Sequence, residues 1–227
     1  MGKRDGNKFE RNNKDLYPTI DPSCMVEPFV SRVRGMKYAE PCWGNGDLED
    51  MLMDVATCVW RSDIEPQQSN IPVRDATTLN IDDLQEADVV VSNPPYQWPM
   101  LKPLLDHLPT VKPTWLLLPA DYMHNIRMGP YMEKCTTVIA IGRMYWMKSK
   151  RATIWYDLLG DLPFESKYSW FQDRVTTYED GAMRYQGWFC ETRGIPTENE
   201  ITKGVSNMCW YRFSKWHIGQ TEFIGRG

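Results

Sequence analysis

The sequence predicts an α/β fold: a mostly parallel sheet with helices on both faces, plus an insertion or extension in the last third. Two observations carry this. Between Lys37 and Met147, short apolar runs alternate with amphipathic stretches. Several runs are apolar at every position, as in Val89-Val90-Val91 and Leu116-Leu117-Leu118. Strands covered on both faces read this way, whereas a half-solvated strand alternates.

The elements follow in order. Residues 1–14 carry five Lys/Arg against Asp5 and Glu10 and read as a flexible basic arm. A helix is expected from about Pro22, with Val26, Phe29, Val30 and Val33 on one face and a kink or interruption at Pro28. A strand over 36–39 leads into the turn Glu40-Pro41-Cys42-Trp43-Gly44-Asn45-Gly46. The next helix carries Leu48, Met51, Leu52 and Val55 at helical spacing, with Asp47, Glu49 and Asp50 in its first turn, the sign a helix N-terminus favours. Thr57 to Arg61 is a second strand, ending at Asp63, and 87–92 a third, running straight into Asn93-Pro94-Pro95-Tyr96. Leu101, Leu104, Leu105 and Leu108 then mark a helix, followed by strands at 114–118 and 137–147. Residues 148–206 are aromatic and charged, with turn signals at Gly160, Gly181, Gly187, Gly194 and Pro196. Two runs, 152–159 and 208–213, compete for a late strand of the sheet.

Composition narrows the function. At 227 residues with 42% hydrophobic side chains the chain has material for a core. A net charge of −4 argues against a general, charge-driven nucleic-acid coat but permits a local basic face. No run reaches the ~20 apolar residues of a membrane span. The N-terminal stretch has no apolar segment of the kind a secretory signal carries, and Gly6 stands where a myristoylation signal has Ser or Thr. The six cysteines form no Cys-x-x-Cys pair and only three histidines exist, so reduced thiols in a cytoplasmic protein, without a metal site, are expected.

Two turns carry the chemistry. Gly44 and Gly46 let the chain bend and approach a ligand without a Cβ in the way, at the strand end where open α/β sheets bind ligands. Asp63, 23 positions after Glu40, closes the next strand, where ribose hydroxyls find a carboxylate about 20 residues on. Glu49 stands where a third glycine would complete the dinucleotide fingerprint. Asp47, Glu49 and Asp50 would repel a pyrophosphate, so a ligand with ribose and no phosphate fits better. The second turn, Asn93-Pro94-Pro95-Tyr96, is stiff and lacks two N–H donors. It offers the Asn93 side-chain oxygen and the Pro94 carbonyl as acceptors beside an aromatic face. That surface suits a planar group with an NH2 to donate; an ordinary exposed turn is the alternative.

Taken jointly, Glu40-Pro41-Cys42-x-Gly44-x-Gly46, Asp63-Ile64-Glu65-Pro66, Asp75-Ala76-Thr77 and Asn93-Pro94-Pro95-Tyr96, in that order, resemble the S-adenosylmethionine-dependent adenine-N6 DNA methyltransferases, above all their compact phage-type members. Asp15-Leu16-Tyr17-Pro18-Thr19 resembles that family's N-terminal segment. The resemblance covers residues 15–147 and implies a class I methyltransferase-like, Rossmann-type core there. Residues 148–206 would be a target-recognition insertion by position, and 207–227 the last core strand and tail.

By the same resemblance, S-adenosylmethionine is the cofactor. Tyr17, Pro18 and Thr19 would lie along its methionine, and Glu40, Pro41, Cys42, Gly44 and Gly46 would wrap it. Asp63 would take the ribose hydroxyls, Ile64 would meet the adenine ring, and Asp75, followed by Ala76, would accept from that ring's amine. Asn93 and Pro94, with Pro95, would hold the target amine, and Tyr96 would stack on the target base, flipped out of a duplex. DNA is the implied partner, the cytoplasm of a bacterial host the implied location, and a monomer the default with oligomeric state open. Neither a metal nor a covalent enzyme intermediate is required by this chemistry.

Arg143, Lys148, Lys150 and Arg151, interleaved with Tyr145 and Trp146 and free of acids, read either as a DNA-backbone patch or as a solvated strand end. Later basic residues are mixed with acids and read as ordinary surface. His107, His124 and His217 read as structural or exposed, and Asp121 as a cap. Asn-Pro-Pro-Tyr also serves methyltransferases acting on protein glutamine or on RNA guanine. A catalytically silent cofactor- or DNA-binding protein is a third reading.

Overall fold

The computed structural model describes residues 19, 22–147, 154–158, 175–177, 183–187 and 201–226. Ten strands and four α-helices occur among them. They are α1 (Glu27–Val33), β1 (Lys37–Glu40), α2 (Asp47–Leu52), β2 (Thr57–Arg61), β3 (Val89–Ser92), α3 (Trp98–Val111), β4 (Thr114–Pro119), α4 (Gly129–Met132), β5 (Cys135–Met147), β6 (Ile154–Leu158), β7 (Val175–Thr177), β8 (Met183–Gly187), β9 (Ile201–Phe213) and β10 (Glu222–Ile224).

Seven strands form one sheet in the order β10-β5-β9-β4-β3-β1-β2, and β6, β8 and β7 form a separate three-stranded sheet. Within the large sheet β1 pairs in parallel with β2 and β3, β3 with β4, and β10 with β5. Only β9 runs the other way, antiparallel to both β4 and β5. Of the two runs competing for the late strand, 208–213 therefore belongs to the sheet, and Ile154–Leu158 pairs with β8 instead.

The apolar runs divide between two faces with the strand period of two. Val89, Val91, Trp115, Leu117, Ile139, Ile141 and Trp210 pack with α1 and α2 through Phe29, Val30, Val33, Leu48 and Leu52. Leu116, Leu118, Val138, Cys209 and Tyr211 point the opposite way and meet Leu101 and Leu105 of α3. Ala39 and Val90 meet Leu104 and Leu108 of the same helix. This two-sided burial explains why the strands carry no polar alternation. Phe29 anchors α1, stacked on Trp210 at 4.2 Å and edge-on to Trp115 at 5.5 Å between centroids. The Trp210 indole N–H donates to the Cys24 carbonyl at 2.8 Å.

Pro28 does not kink α1. It falls in the first turn, where its missing N–H would have no intrahelical partner. The helix simply begins later than the apolar spacing suggested, after a 3-10 turn over Pro22–Cys24. No described helix is long and apolar enough to cross a membrane.

Candidate active site

The strand order changes direction at β1: its neighbours are β2 on one side and β3 on the other. The helix after β1 packs on one face, and the helix after β3 packs on the other. Chains leaving neighbouring strand ends in opposite directions open a crevice beyond their carboxyl ends. Both motif turns sit there, one after β1 and one after β3.

The turn after β1 is tied down at several points. The Trp43 N–H donates to the Ser62 carbonyl at 3.1 Å. Gly44, at φ 59°, turns its N–H onto Asp63 Oδ2 at 2.8 Å. Gly46 is at φ 85°, and a Cβ there would lie 2.3 Å from the Trp43 ring. The indole thus fills the space a side chain would need, and its N–H donates to Glu49 Oε2 at 2.6 Å. Glu49 also bonds Arg61, so its charge is partnered within the protein.

Asp63 is half-buried and holds two backbone N–H groups, Gly44 on Oδ2 and Glu65 on Oδ1 at 2.8 Å. Each carboxylate oxygen offers two lone-pair directions, so both keep an acceptor position for hydroxyls. The Asp63 backbone bridges Val73 in parallel fashion, which brings the 72–75 segment alongside. Ile64 beside it is 57% exposed, an open apolar surface of the kind a flat ring would cover. Asp75 accepts from the Thr77 N–H at 2.8 Å and the Thr77 hydroxyl at 2.7 Å, both on Oδ1, and caps the turn Ala76–Thr78. Ala76 itself is buried.

Pro41 is buried and Cys42 half-buried. Burial, then the charge of Asp63, pushes the Cys42 thiol up to about 12, against a smaller opposing bond with Ser92. A thiol held protonated at neutral pH is a poor nucleophile. Glu40 is 1% exposed, and its Oε2 has no hydrogen-bond partner. Burial chiefly, then the charges of Glu49, Asp47, Asp63 and Asp50, raise its carboxyl well above the usual range.

At the end of β3, Asn93 donates from Nδ2 to the hydroxyl oxygen of buried Thr19 at 2.8 Å. The Tyr96 phenol donates to Asn93 Oδ1 at 2.6 Å. Tyr122, in the 3-10 turn after β4, donates to the Tyr96 carbonyl at 2.8 Å. Pro94 is buried, and Pro95 and Tyr96 are half-buried. The Asn93 amide is therefore oriented from both ends, nitrogen toward Thr19 and oxygen toward the aromatic ring.

The remaining expected residues divide. Arg143 is exposed on β5, opposite Asn207 of β9. Tyr17, Pro18, Lys148, Lys150 and Arg151 lie outside the described residues. His107 is satisfied by the Leu79 carbonyl at 2.6 Å, a structural role. Among the described residues no group of three or more His, Cys, Asp or Glu is arranged to hold a metal ion. Sequence reasoning passed over Trp43 and Tyr122. Tyr122 follows a strand whose carboxyl end faces the same edge as β3, a positional signal that was available.

A buried carboxyl with one unpartnered oxygen, an aspartate with spare acceptor positions and an exposed apolar side chain fit a ligand with a cationic end, ribose hydroxyls and a flat ring. S-adenosylmethionine has those three parts.

The sheet order and the reversed β9 give the chain a mixed α/β, Rossmann-like fold of the class I methyltransferase kind. No family profile and no curated protein sequence matches the chain. Similar solved structures include a Pyrococcus horikoshii protein assigned as an RNA methyltransferase, 12% identical over 82% of this chain and 78% of that one, with a TM-score of 0.40. A Listeria monocytogenes protein assigned to the class I S-adenosylmethionine-dependent methyltransferases is 7% identical over 96% and 68%, with a TM-score of 0.45. A S-adenosylmethionine-dependent O-methyltransferase of Thermotoga maritima is 10% identical over 87% and 66%, with a TM-score of 0.38.

Gly46→Ala must displace the Trp43 ring and adopt an unfavourable positive φ. We expect it to destabilise the protein by ~1–3 kcal/mol, read as a lowered urea midpoint. An unchanged midpoint would show that the ring yields freely.

Proposed function

We propose that the protein transfers a methyl group from S-adenosylmethionine to the exocyclic N6 amine of adenine in DNA. The observation that carries this reading is the Asn93–Pro94 corner. An amide oxygen oriented by Thr19 stands beside an aromatic ring, at the strand end next to the Glu40–Gly46 turn and Asp63.

Glu40 and the turn after β1 hold the cationic end of the cofactor, Asp63 takes its ribose hydroxyls, and Ile64 covers its ring. Bound there, S-adenosylmethionine supplies a methyl group on a positively charged sulfur, and transfer leaves that sulfur neutral.

The target amine is a weak nucleophile because its lone pair is delocalised into the purine. Asn93 Oδ1 and the Pro94 carbonyl accept its two N–H bonds and draw them out of the geometry that conjugation needs. As the new N–C bond forms, positive charge grows on nitrogen directly before these oxygens. Acceptors aimed at developing charge stabilise the transition state more than the ground state. The amine proton then leaves to solvent. The Tyr96 phenol donates to Asn93 Oδ1, standing where an amine N–H would stand. An incoming base takes over that bond and frees the ring to stack, which offsets part of the unstacking energy of a flipped base.

The direct test is incubation with methyl-labelled cofactor and unmethylated DNA, followed by digestion to nucleosides. We expect label in N6-methyladenine. Label in RNA or protein alone would transfer the mechanism to another planar NH2 acceptor. Asn93→Ala should lower kcat by ~100-fold or more while cofactor affinity stays near that of the wild type. Asp63→Ala should weaken cofactor binding ~10- to 100-fold in equilibrium titration. The reverse pattern would exchange the two assignments.

A further inference from the structure

Glu40 stands apart from the other acids of the crevice. Its carboxyl lies at the end of β1 with 1% exposure and with Oε2 unpartnered. The side-chain charges acting on it most are all negative: Glu49, Asp47 and Asp50 from α2, and Asp63 from beyond β2. Tyr38 of β1, Cys42 of the turn and Cys58 of β2 feel its charge in turn. The nearby cation Arg61 is engaged with Glu49. A buried carboxylate with one oxygen unbonded and four like charges acting on it is a costly arrangement, and a neutral carboxylic acid lowers that cost. Among the described residues no group of three or more His, Cys, Asp or Glu is arranged to hold a metal ion, and the cationic group of an organic ligand would supply Glu40 with a counter-charge.

We propose that the Glu40 carboxyl is a proton-coupled receptor for the cationic end of the cofactor. It is a neutral acid before the cofactor binds and releases its proton to solvent as the ion pair with the cofactor forms. This inference rests on S-adenosylmethionine being the ligand. The O–H bond of Glu40 breaks, the proton passes to water or buffer, and the carboxylate left behind faces the positive charge that has entered. Because the carboxyl is raised in the free protein and lowered again by its partner, cofactor affinity rises with pH between those two limits. Where a whole proton is released the gain is about tenfold per pH unit.

Titration calorimetry with S-adenosylmethionine tests this between about pH 5 and about pH 7, a range in which an α-amino group stays protonated. Running it in buffers of different ionisation enthalpy counts the protons. The wild type should release protons on binding and bind more tightly as pH rises. Glu40→Gln should bind with little pH dependence and no matching release. Infrared difference spectra of the unaltered protein should also lose the carbonyl stretch of a protonated carboxylic acid when cofactor is added, a measurement that holds even if the variant does not fold. Cofactor binding without net proton release, or release undiminished in Glu40→Gln, overturns the inference. Absence of any cofactor binding removes the cofactor reading itself, and this inference with it.

Discussion

The structure depends on β1 having a parallel neighbour on each side. Because β2 and β3 flank it, the chain must leave β1 toward one face and β3 toward the other, and right-handed crossovers then place α2 and α3 on opposite sides of the sheet. The turns cannot pack against each other as they diverge. A crevice at that edge is thus a consequence of topology, and Glu40 at the end of β1 and Asn93 just after β3 both stand at that edge.

Within the crevice, polarity is divided between two walls. The β1–β2 wall carries Glu40 and Asp63 and is rich in negative charge. The β3 wall is built from neutral acceptors held by neutral donors: Asn93 between Thr19 and Tyr96, and Tyr96 held by Tyr122. A cationic ligand suits the first of these surroundings and a neutral hydrogen-bond donor the second. A carboxylate at the position of Asn93 would bring a further negative charge to a wall otherwise built of neutral groups.

Much of this was legible in the sequence. Thr57–Arg61 was expected as a strand and is β2, and the leucines at 101, 104, 105 and 108 line the buried face of α3. Other elements were not legible. Pro28 was expected to break a helix that it instead begins, because the start of α1 depends on where Phe29 meets Trp210, far away in the chain. The short edge strand β10 has no strong apolar signal of its own, with Phe223 exposed, and forms by pairing with β5. That a Cβ on Gly46 would meet the Trp43 ring is likewise written in no local pattern.

The sequence by itself determined the alternation of strands and helices, the two-sided burial of the sheet, and which residue types stand at the strand ends, because periodicity and turn chemistry are properties of neighbouring residues. Tertiary structure alone decided that 208–213 inserts between β4 and β5, that Thr19 orients Asn93 across 74 positions, and that Glu40 Oε2 has no partner. Those outcomes rest on pairings between distant segments and on exclusion of water, neither of which is written in any local stretch of the chain.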